Sequence, residues 1–175
     1  SRMKTSCGDF VPAAHNPGLE LGAVLATAAR QGRDKVTFVP DPKVGALASW
    51  AEQLLAESSG KKGQGLIPVV DEALGDPEAY GDDRIFVQIA LAGDRQARQI
   101  VQKLMRLEEA GHPVVRIGLS DPLDLGAEFV RWEVAVATAG AVLGINPFDE
   151  PDVDAAKKHT RRMLESPAGM ARTDD

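Results

Sequence analysis

Arg84-Ile85-Phe86-Val87-Gln88-Ile89-Ala90-Leu91 is the stretch that decides the fold. After the leading arginine it is apolar at every position but Gln88. A strand with one wet face alternates apolar and polar residues, whereas one covered on both faces reads as a continuous apolar run. Such double covering belongs to parallel sheets, whose crossover helices lie on both sides.

The flanking chain supplies the crossovers. Upstream, Lys35 to Pro40 (KVTFVP) and Leu66 to Val70 read as short β-branched strands bounded by charge, glycine and proline. Downstream, Gly93-Asp94 opens a helix with an inner stripe of Ala97, Ile100, Val101, Leu104 and Leu107, and Gly111 ends it. Val114 to Leu119 is the next strand. Pro17 to Gln31 reads as a helix, capped by Asn16, with Leu19, Leu21, Val24, Leu25 and Ala28 on one side. Asp124 to Leu143 reads as a long Ala- and Gly-rich helix, apolar nearly all round in its second half and so central to the packing. Strands alternating with helices predict βαβ units and an α/β fold with a mainly parallel sheet. In such sheets ligands bind at the carboxyl ends of the strands.

The composition is that of one globular domain: 175 residues, 43% hydrophobic and 26% charged. A net charge of −6 argues against a nucleic-acid surface. Cys7 is the single cysteine, so no internal disulfide can form, which fits a reducing compartment. The longest apolar run, Val134 to Ile145, is too short to span a bilayer. The three histidines, His15, His112 and His159, lack metal-ligand spacing and read as surface or turn residues.

Between the first two strands lies Val44 to Ser59, a helix with Leu47, Trp50, Ala51, Leu54 and Leu55 at helical spacing. Gln53 and Glu57 share a face at the margin of that stripe. Glu57 sits in the final turn, where the helix dipole is negative and disfavours a charged carboxylate. That bias suits a general base, although an ordinary solvated glutamate fits the spacing equally. Gly60 stands just past the helix end. Gly60 to Gly65, with three glycines and two lysines, is either a flexible cationic lip for a phosphorylated ligand or a surface turn with solvated lysines. It carries neither a Walker nor a dinucleotide glycine pattern.

Near the other end, Gly144-Ile145-Asn146-Pro147-Phe148-Asp149-Glu150 forms a turn, and a helix follows from Pro151. Val153, Ala156, Thr160 and Leu164 line one face of that helix, and Lys157 falls inside it. A lysine there either snorkels outward or serves a cleft, where desolvation would ease release of its proton.

The segment Gln53-x-x-x-Glu57-Ser58-Ser59-Gly60-Lys61 resembles the surroundings of the catalytic glutamate in glucose-6-phosphate isomerases. The 144–157 segment resembles that family's late motif, which ends in a catalytic lysine. "NPGLELG", "GRDKVTF", "LIPVVDE" and "YGDDRIFV" fit too, and the likeness is nearest to the isomerase half of bacterial transaldolase/phosphoglucose isomerase fusions. The resemblance implies a three-layer α/β/α sandwich, a sugar-isomerase (SIS) domain that is flavodoxin-like, over residues 16–165. Residues 1–15 are then an irregular N-terminal segment and 166–175 a loose tail. It further implies aldose–ketose isomerisation of glucose 6-phosphate and fructose 6-phosphate in the cytoplasm, with no metal or cofactor. Glu57 and Lys157 are the implied catalytic pair, and Gln53, Ser58 and Glu150 the implied substrate contacts. The implied partners are the hexose 6-phosphate, a missing first SIS domain, a second copy in a homodimer and a fused transaldolase, but neither nucleic acid nor membrane.

Two positions depart from the family pattern. Glu150 stands where glutamine is common, and the ring-opening histidine is missing. Glu128, in Gly126-Ala127-Glu128-Phe129, stands nearest that histidine's place, and it can instead pair with Arg131 at i,i+3. The family's phosphate loop and conserved arginine lie upstream, so the chain alone is expected to fold but to isomerise poorly. A phosphosugar sensor without catalysis is the alternative from the same family, and a nucleotide-binding α/β domain is a third.

Overall fold

The computed structural model of the chain describes residues 2–8, 10–61, 63–93, 97–149 and 151–165. Four strands, β1 (Lys35–Pro40), β2 (Ile67–Val69), β3 (Arg84–Leu91) and β4 (Val114–Leu119), form one sheet in the order β2-β1-β3-β4. Every pairing is parallel. The β1/β3 ladder runs from Lys35 opposite Arg84 to Pro40 opposite Ile89. The apolar run at 84–91 is thus a central strand, as its pattern predicts, and the order is that of flavodoxin-like sheets.

Among the described residues six helices accompany the sheet: α1 (Arg2–Ser6), α2 (Pro17–Arg30), α3 (Gly45–Ser59), α4 (Ala97–Glu109), α5 (Leu125–Leu143) and α6 (Pro151–Glu165). Strand side chains alternate between faces. Val36, Phe38, Ile85, Val87 and Ile89 meet α2, α3 and α5 in the larger core. Val39 and Phe86 meet Leu104 and Leu107 of α4 in the smaller one. The result is a three-layer α/β/α arrangement with α5 central to its thicker layer. Trp132 of α5 packs on Phe38 at 5.3 Å between ring centroids, and Phe129 meets Trp50 of α3 edge-on at 4.5 Å.

Close approach of α2 to α5 depends on two glycines. A Cβ on Gly22 would lie 2.2 Å from the Ala135 carbonyl oxygen, and one on Gly18 2.7 Å from Val134. The buried side of α2 is therefore Gly18, Leu21, Gly22, Leu25, Ala26 and Ala28, while Val24, expected on the inner face, is exposed. Asn16 caps this helix as its type predicts, accepting from the Gly18 and Leu19 amides at 3.1 Å.

Two expectations are corrected. The first fifteen residues are not irregular throughout, because α1 packs against α5. His112 is buried rather than a surface residue, held edge-on between Phe86 and Tyr80. The loop 71–83 contains a short 3₁₀ turn at Pro77–Ala79, and its Tyr80 packs on Phe86. The tail 166–175 lies outside the described residues.

Candidate functional site

The motif-bearing segments gather at the amino ends of the strands. β1 and β2 are parallel, so α3 must return the chain to the edge where β1 began. Its last turn consequently stands near Asp34 and Lys35, and the Ile67 amide at the start of β2 donates to the Asp34 carbonyl at 2.8 Å. The carboxyl edge, where sheet topology puts ligand sites, is the opposite one. It holds a cleft of about 560 Å³ lined in part by Asp71, Gln99 and Lys103, and no residue of the 53–61 or 144–157 segments lines it. The expectation of a site at the carboxyl ends therefore does not apply to these motifs.

Glu57 and Gln53 lie one helical turn apart on the exposed flank of α3, and Ser58 beside them is half-buried. The inner side of the same turns holds Leu55 and Ser59 in the core. Ser59 is fully engaged. Its hydroxyl donates to the Leu55 carbonyl at 2.7 Å and accepts from the Leu66 amide at 2.8 Å, closing the loop back onto the helix. Gly60 ends α3 without a left-handed conformation, at φ −72°. The positive φ values fall on Gly63 (72°) and Gly65 (148°), and a Cβ on Gly65 would lie 2.6 Å from the Ser59 carbonyl oxygen.

Lys61 changes the reading of this loop. It is neither a solvated lysine nor a cationic lip but is 5% exposed. Its backbone pairs with Gln64 in both directions at 2.9 Å. Its ammonium donates to the Asn146 carbonyl at 2.6 Å, to the Asp149 carboxylate at 2.8 Å and to the Asp149 carbonyl. The two motif segments, more than eighty residues apart in sequence, thereby become neighbours. Beside them, a cleft of about 410 Å³ lies between the loop glycines, Arg30, Asp34 and Leu143.

Lys157 lies on α6, whose residues 153–165 are all exposed. Among the described residues the stripe of Val153, Ala156, Thr160 and Leu164 covers nothing, and Lys157 is exposed. Glu150 lies outside the described residues.

Glu128 is not at this site. It stands at the start of α5, level with Trp50 of α3, while Glu57 is seven residues, roughly 10 Å of helix rise, further toward the other edge. It is 2% exposed and pairs with Arg131 at 3.3 Å, the structural ion pair that the i,i+3 spacing allows. Burial pushes its carboxyl above the usual carboxylate range, Arg131 opposes the rise, and Asp124 adds to it. Its Oε2 has no hydrogen-bond partner among the described residues. Among those residues no group of acidic, histidine or cysteine side chains is placed to hold a metal ion.

Comparison with known proteins gives a consistent family likeness. No family model matches the chain. The chain is similar to glucose-6-phosphate isomerases from Heliobacterium modesticaldum (25% identity over 87% of this chain) and Rubrobacter xylanophilus (27% over 88%). It is likewise similar to the isomerase from Symbiobacterium thermophilum, at 27% identity over 90% of this chain. These alignments take in 43%, 45% and 43% of the three relatives, so the chain spans less than half their length. In fold it resembles the crystal structure of a hypothetical protein from Thermus thermophilus, with a TM-score of 0.67 and 20% identity. That match covers 94% of this chain and 48% of the other. The chain is thus distantly similar to glucose-6-phosphate isomerases and has a flavodoxin-like α/β fold. No helix among its described residues is long and apolar enough to cross a membrane.

Proposed function

We propose that this chain is the second SIS domain of an isomerase that interconverts glucose 6-phosphate and fructose 6-phosphate. The observation that carries the proposal is the Lys61 junction: the two segments resembling the family's catalytic motifs, remote in sequence, meet at one edge of the sheet. The likeness to the isomerases over nearly the whole chain supports it.

In this reading the Glu57 carboxylate, exposed at the end of α3, removes the proton from carbon 2 of the open-chain aldose. An enediolate forms, and the proton returns at carbon 1 of the ketose. Gln53, one turn earlier, holds a sugar hydroxyl or the carboxylate itself, and Ser58 and Glu150 contact the substrate. Lys157 moves a proton to or from the ring oxygen during ring opening. Glu128, buried and paired, takes no part. An exposed α6 and a site open on one side fit a chain whose partner surface lies elsewhere. That surface is assigned to a first SIS domain carrying the phosphate site, within a cytoplasmic homodimer. A fused transaldolase is a further element of the proposal and rests on the motif resemblance alone.

The test is fructose 6-phosphate isomerisation by the full-length protein and its Glu57→Gln variant. A general base contributes about 10²–10⁴-fold, so the variant should lose that much rate while still binding the sugar. Equal rates would remove Glu57 from the mechanism. Binding without turnover in both proteins would favour a phosphosugar sensor.

A further inference from the structure

We infer that Lys61 is a positioning residue, which sets where α6, and with it Lys157, stands relative to Glu57. This role deepens the isomerase reading and rests on it, whereas the clamp stands on geometry alone. A lysine ammonium has three N–H donors, and Lys61 finds three acceptors, all in the 146–149 turn. Two of them are backbone carbonyls, so the contact fixes the shape of the turn as well as pairing a charge. Both sides of the clamp are built. On one side, Ser59 and the Lys61–Gln64 pair hold the loop against the end of α3. On the other, Gly144 closes α5 at φ 72°, the Ile145 amide returns to the Gly140 carbonyl at 3.0 Å, and Pro147 packs where a Cβ on Gly140 would lie 2.7 Å away.

Among the described residues the helix that follows this turn is exposed along 153–165, so within this chain its placement rests on the turn at its root. Lys157 lies six residues beyond Pro151, about 9 Å up the axis. A tilt of about 15° at the root would carry it roughly 2 Å sideways, and a misplacement of about 1 Å can cost 10²-fold in rate. Lys61 therefore acts through Lys157, not on the substrate.

The experiment uses the full-length protein with Lys61→Met, Lys157→Met and the double variant. Each is assayed on fructose 6-phosphate and on its 5-deoxy analogue, which cannot close a ring. With Lys61→Met, kcat on fructose 6-phosphate should fall about 10²-fold with KM little changed. Turnover of the open-chain analogue should stay within about threefold, because Glu57 has not moved. The double variant should be no slower than Lys157→Met. Equal losses on both substrates, or losses that multiply in the double variant, would overturn the role. A parent inactive on both substrates would end the isomerase reading and this catalytic role with it. Amide hydrogen exchange judges the clamp separately: Lys61→Met should speed exchange across the first turns of α6 and leave α3 unchanged, and unchanged exchange in α6 would overturn it.

Discussion

Replacing Gly22 by alanine should destabilise the chain by about 2 kcal/mol. The added Cβ would stand 2.2 Å from the Ala135 carbonyl oxygen, 2.9 Å from its carbonyl carbon and 2.7 Å from the Thr138 Cβ. Two of these three atoms are backbone, so no rotamer change relieves the contact, and α2 and α5 must separate by roughly 1 Å. α5 has no room to retreat, since Trp132 is seated on Phe38 of the sheet and Phe129 on Trp50 of α3. Overpacking of this kind costs about 1–3 kcal/mol, and more where the neighbours are fixed. Alanine gains about 1 kcal/mol over glycine in helix propensity, which offsets part of the cost. For a chain of this size, about 2 kcal/mol is a fall in Tm of roughly 4–8 °C. Urea unfolding with an unchanged m-value is the assay. Gly126→Ala is the control: it lies in the first turn of α5, a Cβ there meets nothing within 4 Å, and it should be neutral or gain up to about 1 kcal/mol. If Gly22→Ala unfolds at the same urea concentration as the parent, the backbone contact between α2 and α5 is refuted.

Glu128→Gln should change the pH dependence of stability. Burial raises the folded-state pKa of Glu128 above its unfolded value, so the folded chain holds that proton longer. Its contribution is greatest below the ordinary carboxylate range and is lost as pH rises through the raised value. Stability of the variant relative to the parent should therefore improve as pH rises above the ordinary carboxylate range, and a difference that stays flat with pH would contradict the raised value. Ser59→Ala should cost about 1–3 kcal/mol in denaturant unfolding, because the buried Leu66 amide loses its acceptor. A smaller loss would mean that the loop finds another way to satisfy that amide.

The fold was legible because its signals are local. The apolar run at 84–91 announces a strand covered on both faces, the Asn16-Pro17 pair announces a helix start, and the crossovers follow from the chirality of parallel connections. The Glu128–Arg131 pair was legible for the same reason, as neighbours on one helix. Glu57 and Gln53 could be placed on a face, but not at the amino edge of the sheet, because that position depends on the direction in which β2 pairs.

What the sequence by itself determined, then, is the identity and order of the elements and the residue types available for chemistry. The tertiary structure decided the rest, through contacts between segments that no periodicity links. It put Lys61 in the 146–149 turn, because desolvating an ammonium there is compensated only by the three acceptors that the folded turn presents. It buried His112 edge-on against Phe86 of the sheet and Tyr80 of the 71–83 loop, elements that no periodicity links to it. It left Lys157 exposed, because a helix whose apolar stripe finds no second surface among the described residues cannot desolvate the lysine on that stripe.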